Sequence, residues 1–527
     1  VKSHNSRFIV VGDIWLSNRS DLLQLLHSNQ KYTDKEIVAY LWEAQGEECL
    51  SLLEGMFSLC IWDNQERQLY LVRDGVGCRT LYYTNSGKNC VIAPRLATLL
   101  PFHSRQLDLI ALRDYLCCAF VPGEKTLWEN VKELSTGMVL QIESSVELVN
   151  CINKKLFWSA RENIQNAEES LIWHGKQLRQ LLDEVVQEYL PVDEPVGVYL
   201  SGGLDSSCIT ALAAKFHKHP VHTYSIHFGE KCPNELEFSG LVAQHCKTQH
   251  HILEITPDDM WEQLPLTMSY LDDPIGDPLT VPNYLLGKIA RENASVILNG
   301  EGGDPCFGGP KNQPMLLNRL YGEVNNTEES LVTNYVNSFK KCSAYLPQLL
   351  KPDVFTKVKE QDYVFTDYLY RNENYLNRLM TINIKFKGAD HILTKVNNMT
   401  VANNLSGRSP LFDRRVVEMA MQIPPQYKLA GAQEKAVLKQ AVLDVLPREI
   451  IDRPKSGMMV PVQYWFKNIF QPRAKSLLLN RNAEIAPLFN QDLIKEWLNY
   501  RGDAWRRYGV KLWLLTSLEI WLQVQKR

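Results

Sequence analysis

The stretch Val198-Tyr199-Leu200-Ser201-Gly202-Gly203-Leu204-Asp205-Ser206-Ser207 constrains this chain more than any other. An apolar run after Pro195 and Gly197 reads as a buried strand, and Ser206 to Lys215 reads as the helix that follows. The paired glycines fall where strand becomes helix. There the backbone can approach a ligand closely, and serine hydroxyls converge with the free amides of a helix N-terminus, a common grip on phosphate. Asp205 is out of place beside an anion unless the anion arrives with Mg²⁺, for which a carboxylate is a hard oxygen ligand. Taken alone, the ten residues also suit a plain turn with a serine cap. No GxxxxGK[ST] loop competes for a nucleotide.

With 527 residues the chain has room for two or three domains. Its 45% hydrophobic and 22% charged residues and net charge of −3 describe an ordinary globular protein, with nothing that asks for nucleic acid or an anionic membrane as partner. Twelve scattered cysteines with no CxxC pair signal neither a zinc site nor a disulfide framework, so free thiols in a reducing compartment are expected. No long apolar span or secretory signal is evident, and a cytoplasmic enzyme is the expectation.

Before residue 158 the chain reads as strands with a few helices. Phe8 to Val11, Met56 to Trp62, Leu69 to Val72 and Cys90 to Ala93 are short apolar runs between turn residues, and Asp34 to Ala44 has helical spacing. Polar residues from Ser159 to Glu169 read as a linker, dividing the chain into domains 1–158 and 169–527. Beyond it, a helix at Glu169 to Leu190 is followed by alternating strands and helices: a strand at Val221 to Phe228, helices at Glu235 to Cys246 and Leu279 to Glu292, and a strand at Ser295 to Leu298. That alternation predicts a parallel, doubly wound sheet with its ligand beyond the carboxyl ends of the strands, where Ser201 lies. Residues 310 to 385 carry helical spacing of a packing type, and Lys511 to Val524 reads as an amphipathic closing helix.

Ser201 to Ser207 resembles the pyrophosphate loop of the ATP pyrophosphatases, enzymes that cleave ATP to AMP and pyrophosphate, and in particular that of the asparagine synthetase family. Other marks of the family recur along the chain: Asp272 to Pro278, Asn299 to Gly309, Lys395, Leu405 to Asp413, Lys435, and Arg453 to Phe466. Gly12 to Trp15, Thr33 to Glu36, Leu53 to Asp63 and Arg73 to Tyr83 resemble its class II glutamine amidotransferase domain. The resemblance implies an α+β, Ntn-type layered first domain followed by an α/β ATP-pyrophosphatase domain with extra helices. It implies ATP and Mg²⁺ as cofactors, a small-molecule or peptide carboxylate as acceptor, and ammonia or an amine as nitrogen donor. A homodimer is among the assemblies it allows.

By the same resemblance, Leu200, Ser201, Gly202, Gly203, Leu204, Asp205, Ser206 and Ser207, with Ile226, Asn299 and Gly300, bind ATP and pyrophosphate. Asp205 and Asp304 hold the metal. Glu301 takes a proton from the attacking nitrogen, Lys455 stabilises the charge developing on phosphate and intermediate, and Arg408 belongs to the acceptor region. Asn397, Asn398 and Ser406 stand where the family carries charges, which predicts a changed acceptor. His227 replaces a glycine and is expected to be structural.

In the first domain Asp34 matches the glutamine-binding aspartate as a vestige. Val11, Asp13 and Pro94-Arg95 depart from the family pattern, and the chain begins at Val1 where the nucleophilic cysteine is lacking. Glutaminase activity is therefore expected to be absent, as in the β-lactam synthetases and lasso-peptide cyclases, and an upstream segment with the cysteine would reverse that. The leading expectation is asparagine-synthetase-type amide formation with aspartate as default acceptor. An intramolecular amide-forming cyclase is the alternative, and a non-catalytic nucleotide-binding scaffold is a third reading.

Overall fold

The computed structural model describes all residues except 29, 87–88, 145–148, 231, 310–314, 317–327, 431–432, 455–457, 504–505 and 527. The first half is built on strands β1 (Phe8–Leu16), β2 (Gly55–Asp63), β3 (Gln68–Arg73), β4 (Tyr82–Asn85), β5 (Cys90–Ala93), β6 (Val131–Glu133), β7 (Met138–Ser144) and β8 (Val149–Leu156). They form an antiparallel five-stranded sheet in the order β1-β2-β3-β7-β8 and a three-stranded sheet in the order β5-β4-β6. Strand alternation makes the layers. On β3, Val72 faces the core shared with helix Asp34–Gln45, while Leu71 faces Leu81, Tyr83 and Leu140 between the sheets. The helix starts at Thr33, whose hydroxyl accepts from Glu36 N–H while the Glu36 carboxylate accepts from Thr33 N–H, a reciprocal cap.

The second half holds a parallel sheet of β9 (Val196–Tyr199), β10 (Val221–His227), β11 (Gln249–Glu254), β12 (Val296–Leu298) and β13 (Ser406–Arg408), in the order β11-β10-β9-β12-β13. The chain moves outward from β9 through β10 to β11, then returns to the other side of β9 with β12. The direction of winding therefore reverses between β9 and β12, and a crevice opens past the carboxyl ends of those two neighbours. Helices Leu171–Tyr189 and Leu204–Phe216 cover one face, burying Leu178, Leu182, Cys208 and Leu212. Beyond the sheet a helix at Tyr375–Ile382 runs into a π-helical run, Asn383–Leu393, and then helix Thr394–Val401.

The linker expected at Ser159 to Glu169 lies along the second half. Asn163 N–H donates to Met421 O (3.2 Å) and Gln165 N–H to Gln422 O (3.1 Å), and just before the segment Trp158 Nε1 donates to Glu418 (2.5 Å). The closing helix, Tyr508–Lys526, is not amphipathic in its surroundings, because Lys511 and Glu519 are buried with the rest. Lys511 pairs with Asp503 at 2.7 Å, and the Glu519 carboxylate accepts from the N–H groups of Glu484 and Ile485. Both halves contribute to one core. Tyr115 OH donates to Leu514 O at 2.9 Å, and Trp128 stacks on Trp521 with ring centres 5.5 Å apart.

Candidate active site

The loop after β9 is held in shape by its own serines. Ser201 N–H donates to Ser206 Oγ (3.2 Å), Gly203 N–H to Ser201 Oγ (3.3 Å), and Ser206 Oγ to Gly203 O (3.2 Å). Gly202 has φ +77°, and a Cβ there would lie 2.6 Å from Ser239 N, so only glycine fits the turn. Helix Leu204–Phe216 then begins without a side-chain cap, leaving its first amides for a ligand. Ser207 belongs to the helix interior instead: it is fully buried, and its N–H is spent on Gly203 O. Its buried Oγ has no hydrogen-bond partner among the described residues.

The facing loop follows β12. Asn299 donates through N–H (3.1 Å) and Nδ2 (3.2 Å) to Arg408 O, and its Oδ1 accepts from Glu301 N–H (3.0 Å) and Ser409 Oγ (2.9 Å). Asn299 is thus the brace that fixes where Glu301 stands. Gly300 lets the two loops touch, since a Cβ there would sit 2.4 Å from Ser206 N.

Between the loops lies Lys435. It is 2% exposed, and its ammonium stands 2.5 Å from Asp205 Oδ2 and 2.6 Å from Asp304 Oδ1. Burial opposes that charge, but the two carboxylates outweigh it and raise the lysine well above its ordinary range. A second ion pair joins buried Lys395 to half-buried Asp277: Lys395 Nζ reaches Asp277 Oδ2 at 2.7 Å, with His391 Nε2 at 3.4 Å from the same oxygen. Burial would raise the Asp277 carboxyl, but Lys395 and His391 hold it well below the carboxylate range; burial also pushes His391 down to about 4. Lys395 is kept charged against burial by Asp277 and by the nearby Glu301.

Two cavities meet at Ser201, Asp205, Ser206 and Met458. The smaller, about 140 Å³, is lined by the start of helix Leu204–Phe216 and by the cations Lys435, Lys439 and Arg453, interleaved with the carboxylates Asp205, Glu235 and Glu434. Arg453 is fixed by Gly202 O (3.0 Å) and Glu235 (2.5 Å). The larger, about 540 Å³, has an apolar wall of Tyr224, Ile226 and Leu286, and takes in Leu200, Asn299, Gly300, Glu301 and Asp304. Its remaining side is the π-helical run, with Asn383 and Lys387 about one turn apart.

The structure thus gathers Ser201, Asp205, Ser206, Ile226, Asn299, Gly300, Glu301 and Asp304 around one crevice. Lys455 lies outside the described residues. Arg408 turns its guanidinium away from the crevice, donating to Tyr189 O (2.6 Å) and lying 4.4 Å from the ring centre of Trp15 in the first half, while its carbonyl braces Asn299. Nor do Asn398 and Ser406 face the acceptor. Asn398 is buried and donates to Asp272 (2.7 Å), and Ser406 pairs in the sheet. In the first half Asp34 accepts from Leu16 N–H (3.0 Å) and pairs with Arg19, while Asp13 pairs with Arg79 (3.1 Å). His227 accepts from Gly229 N–H in its own turn and does not line the crevice. Lys435 and Arg453 are family marks whose partners only the fold supplies, whereas Lys439 and Lys387 carry no local signal beyond a positive charge.

A layered amidotransferase-like half joined to a parallel sheet with this paired-loop crevice defines the ATP-pyrophosphatase amidotransferases as a class. The asparagine synthase family model matches residues 177–523, and a glutamine amidotransferase domain model matches residues 2–152. The chain belongs to the asparagine synthase family, and with it to the ATP-dependent amide-forming ligases. It is 25% identical to asparagine synthetase [glutamine-hydrolyzing] 1 of Bacillus subtilis over 526 residues, covering 94% of this chain and 82% of that protein. It is 26% identical to a putative asparagine synthetase [glutamine-hydrolyzing] of Mycobacterium tuberculosis over 471 residues, covering 82% and 71%. With asparagine synthetase [glutamine-hydrolyzing] 3 of Bacillus subtilis it shares 25% over 480 residues, covering 84% and 74%. Among the described residues no helix is long and apolar enough to cross a membrane.

Proposed function

We propose that this chain transfers AMP from ATP to a carboxylate, with aspartate as the default acceptor, and passes the activated acyl group to ammonia or an amine. The observation that carries the reading is the convergence of Asp205, Asp304 and Glu301 on one crevice beside a second cavity that holds the helix start with Lys435, Lys439 and Arg453.

The donor set fits Mg²⁺. Asp205 and Asp304 both lie within reach of a single ammonium, and the bare Cα of Gly303 leaves room for the Asp205 carboxylate, since a Cβ there would be 2.2 Å from its Cγ. Two carboxylates completed by nucleotide phosphates is the usual arrangement for this ion; among the described residues no group of three or more His, Cys, Asp or Glu offers an all-protein site. When bound, Mg²⁺ neutralises charge on the departing pyrophosphate.

The protein's own groups divide the remaining work. Ile226 and Tyr224 pack the base, and the helix amides with Lys439 and Arg453 receive the pyrophosphate. An oxygen of the acceptor carboxylate bonds to the α-phosphorus as the bond to pyrophosphate breaks. The nitrogen then bonds to the acyl carbon, AMP leaves with the electrons of the C–O bond, and the Glu301 carboxylate takes the nitrogen's proton. Lys387 is the one cation among the described residues lining the larger cavity, and with Asn383 it is suited to hold a second carboxylate of the acceptor, as aspartate possesses. Lys455 is assigned from the sequence to stabilising the tetrahedral intermediate.

The test is incubation with ATP, Mg²⁺ and aspartate, with ammonium or glutamine in parallel, measuring AMP, pyrophosphate and asparagine together. Asparagine in step with AMP is expected from ammonium. AMP release that ignores aspartate would refute this acceptor, and AMP formation only with a carboxylate bearing its own amine would favour the cyclase.

A further inference from the structure

Lys435 and the metal assigned to Asp205 and Asp304 call on the same oxygens. The ammonium is within 2.6 Å of both carboxylates and is shut off from solvent. A divalent cation on the same pair would be pressed against an ammonium only a few ångström away, with nothing between to screen the repulsion. The two are alternative occupants.

The lysine is also built to leave. It stands immediately before helix Ala436–Ala441, and it lines the smaller cavity together with Lys439 and Arg453. A flexible four-carbon stem lets its point charge swing from the carboxylates into that cavity without moving the backbone. The backbone itself is held at φ +54°, an uncommon conformation for a non-glycine residue, so this position is fixed by its surroundings.

We propose that Lys435 is a positioning residue that keeps the metal's place: without nucleotide its ammonium holds Asp205 and Asp304 together, and when nucleotide delivers the metal it moves onto the phosphates. The carboxylates then have little affinity for a bare cation, and metal enters only with ATP. This rests on the metal assignment under Proposed function.

The experiment is titration of the full chain with Mn²⁺, reading free Mn²⁺ by electron paramagnetic resonance, with and without an ATP analogue carrying a methylene bridge between the α and β phosphorus atoms. Two variants remove the charge: Lys435→Met, and Lys435→Gly, whose backbone favours the left-handed conformation and so protects the fold. Unmodified chain should take up Mn²⁺ only with the analogue. Both variants, shown folded by circular dichroism, should bind Mn²⁺ alone at least about tenfold more tightly than the unmodified chain, and Asp205→Asn added to Lys435→Met should abolish that gain. Folded variants that bind bare Mn²⁺ no better than the unmodified chain overturn the inference while sparing the metal site. Failure of the unmodified chain to bind Mn²⁺ even with the analogue overturns the metal assignment and the inference with it.

Discussion

Replacing Gly300 by alanine tests whether the two loops work as one device. The added Cβ would stand 2.4 Å from Ser206 N, 2.6 Å from Asp205 C and 2.7 Å from Ser206 Cα. All three are backbone atoms, so no side chain can rotate away and one loop must withdraw by about 1 Å, at an overpacking cost of about 1–3 kcal/mol. The withdrawal separates Asp205 and Ser206 from Asn299 and Glu301, and a misplacement of about 1 Å at reacting groups costs about 100-fold in rate. The assay is acceptor-dependent AMP release at saturating ATP, with thermal unfolding alongside. Gly240→Ala is the control: it lies in helix Leu236–Cys246, which packs on the Gly202 turn, but its Cβ would meet nothing within 4 Å. That change should be neutral or stabilise by about 0.4–1 kcal/mol. Turnover by Gly300→Ala at the unmodified rate would refute the claim that contact between the loops sets the catalytic geometry.

Arg408→Met should lower stability by about 1–3 kcal/mol, because Tyr189 O loses a charged donor, while the KM for the acceptor holds; a raised acceptor KM would return Arg408 to the substrate site. Lys387→Ala should raise the KM for aspartate and leave that for ATP, and equal changes in both would remove it from the acceptor wall. Glu301→Gln should keep acceptor-dependent pyrophosphate exchange while losing amide product, so loss of exchange as well would contradict its role as base. The last concerns pH. Burial pushes Asp273 up to about 8 and raises Glu133 and Asp390, which share Arg73 in the same interdomain cluster. A carboxyl raised in the folded state binds more protons there than when unfolded, so its contribution is greatest in acid and is lost as pH climbs to the folded value. The unfolding temperature should therefore fall between about pH 5 and about pH 8, less steeply in Asp273→Asn. An identical profile in that variant would exclude Asp273 as the source.

The sequence was informative wherever chemistry is local. Strand, glycines, serines and Asp205 sit within ten residues, so their convergence follows from one turn, and alternating elements determine on which side of the sheet that turn opens. Side-chain direction across elements was not legible. Arg408 closes a family motif, yet its strand register turns it away from the crevice toward Trp15. Asn398 looked like a lost charge and proved to be a buried partner of Asp272. The closing helix reads as amphipathic because the partners that bury its Lys511 and Glu519, namely Asp503 and the amides of Glu484 and Ile485, lie in other segments. Lys435 meets Asp205 from 230 residues away, and no spacing rule reaches so far.

The closing helix carries a consequence for the history of the chain. Its residues pack on Tyr115 and Trp128, side chains of the amidotransferase-like half. Selection for a folded ligase must therefore act on that half's interior whether or not it ever handles glutamine. Removing it would expose the helix that closes the second half's core.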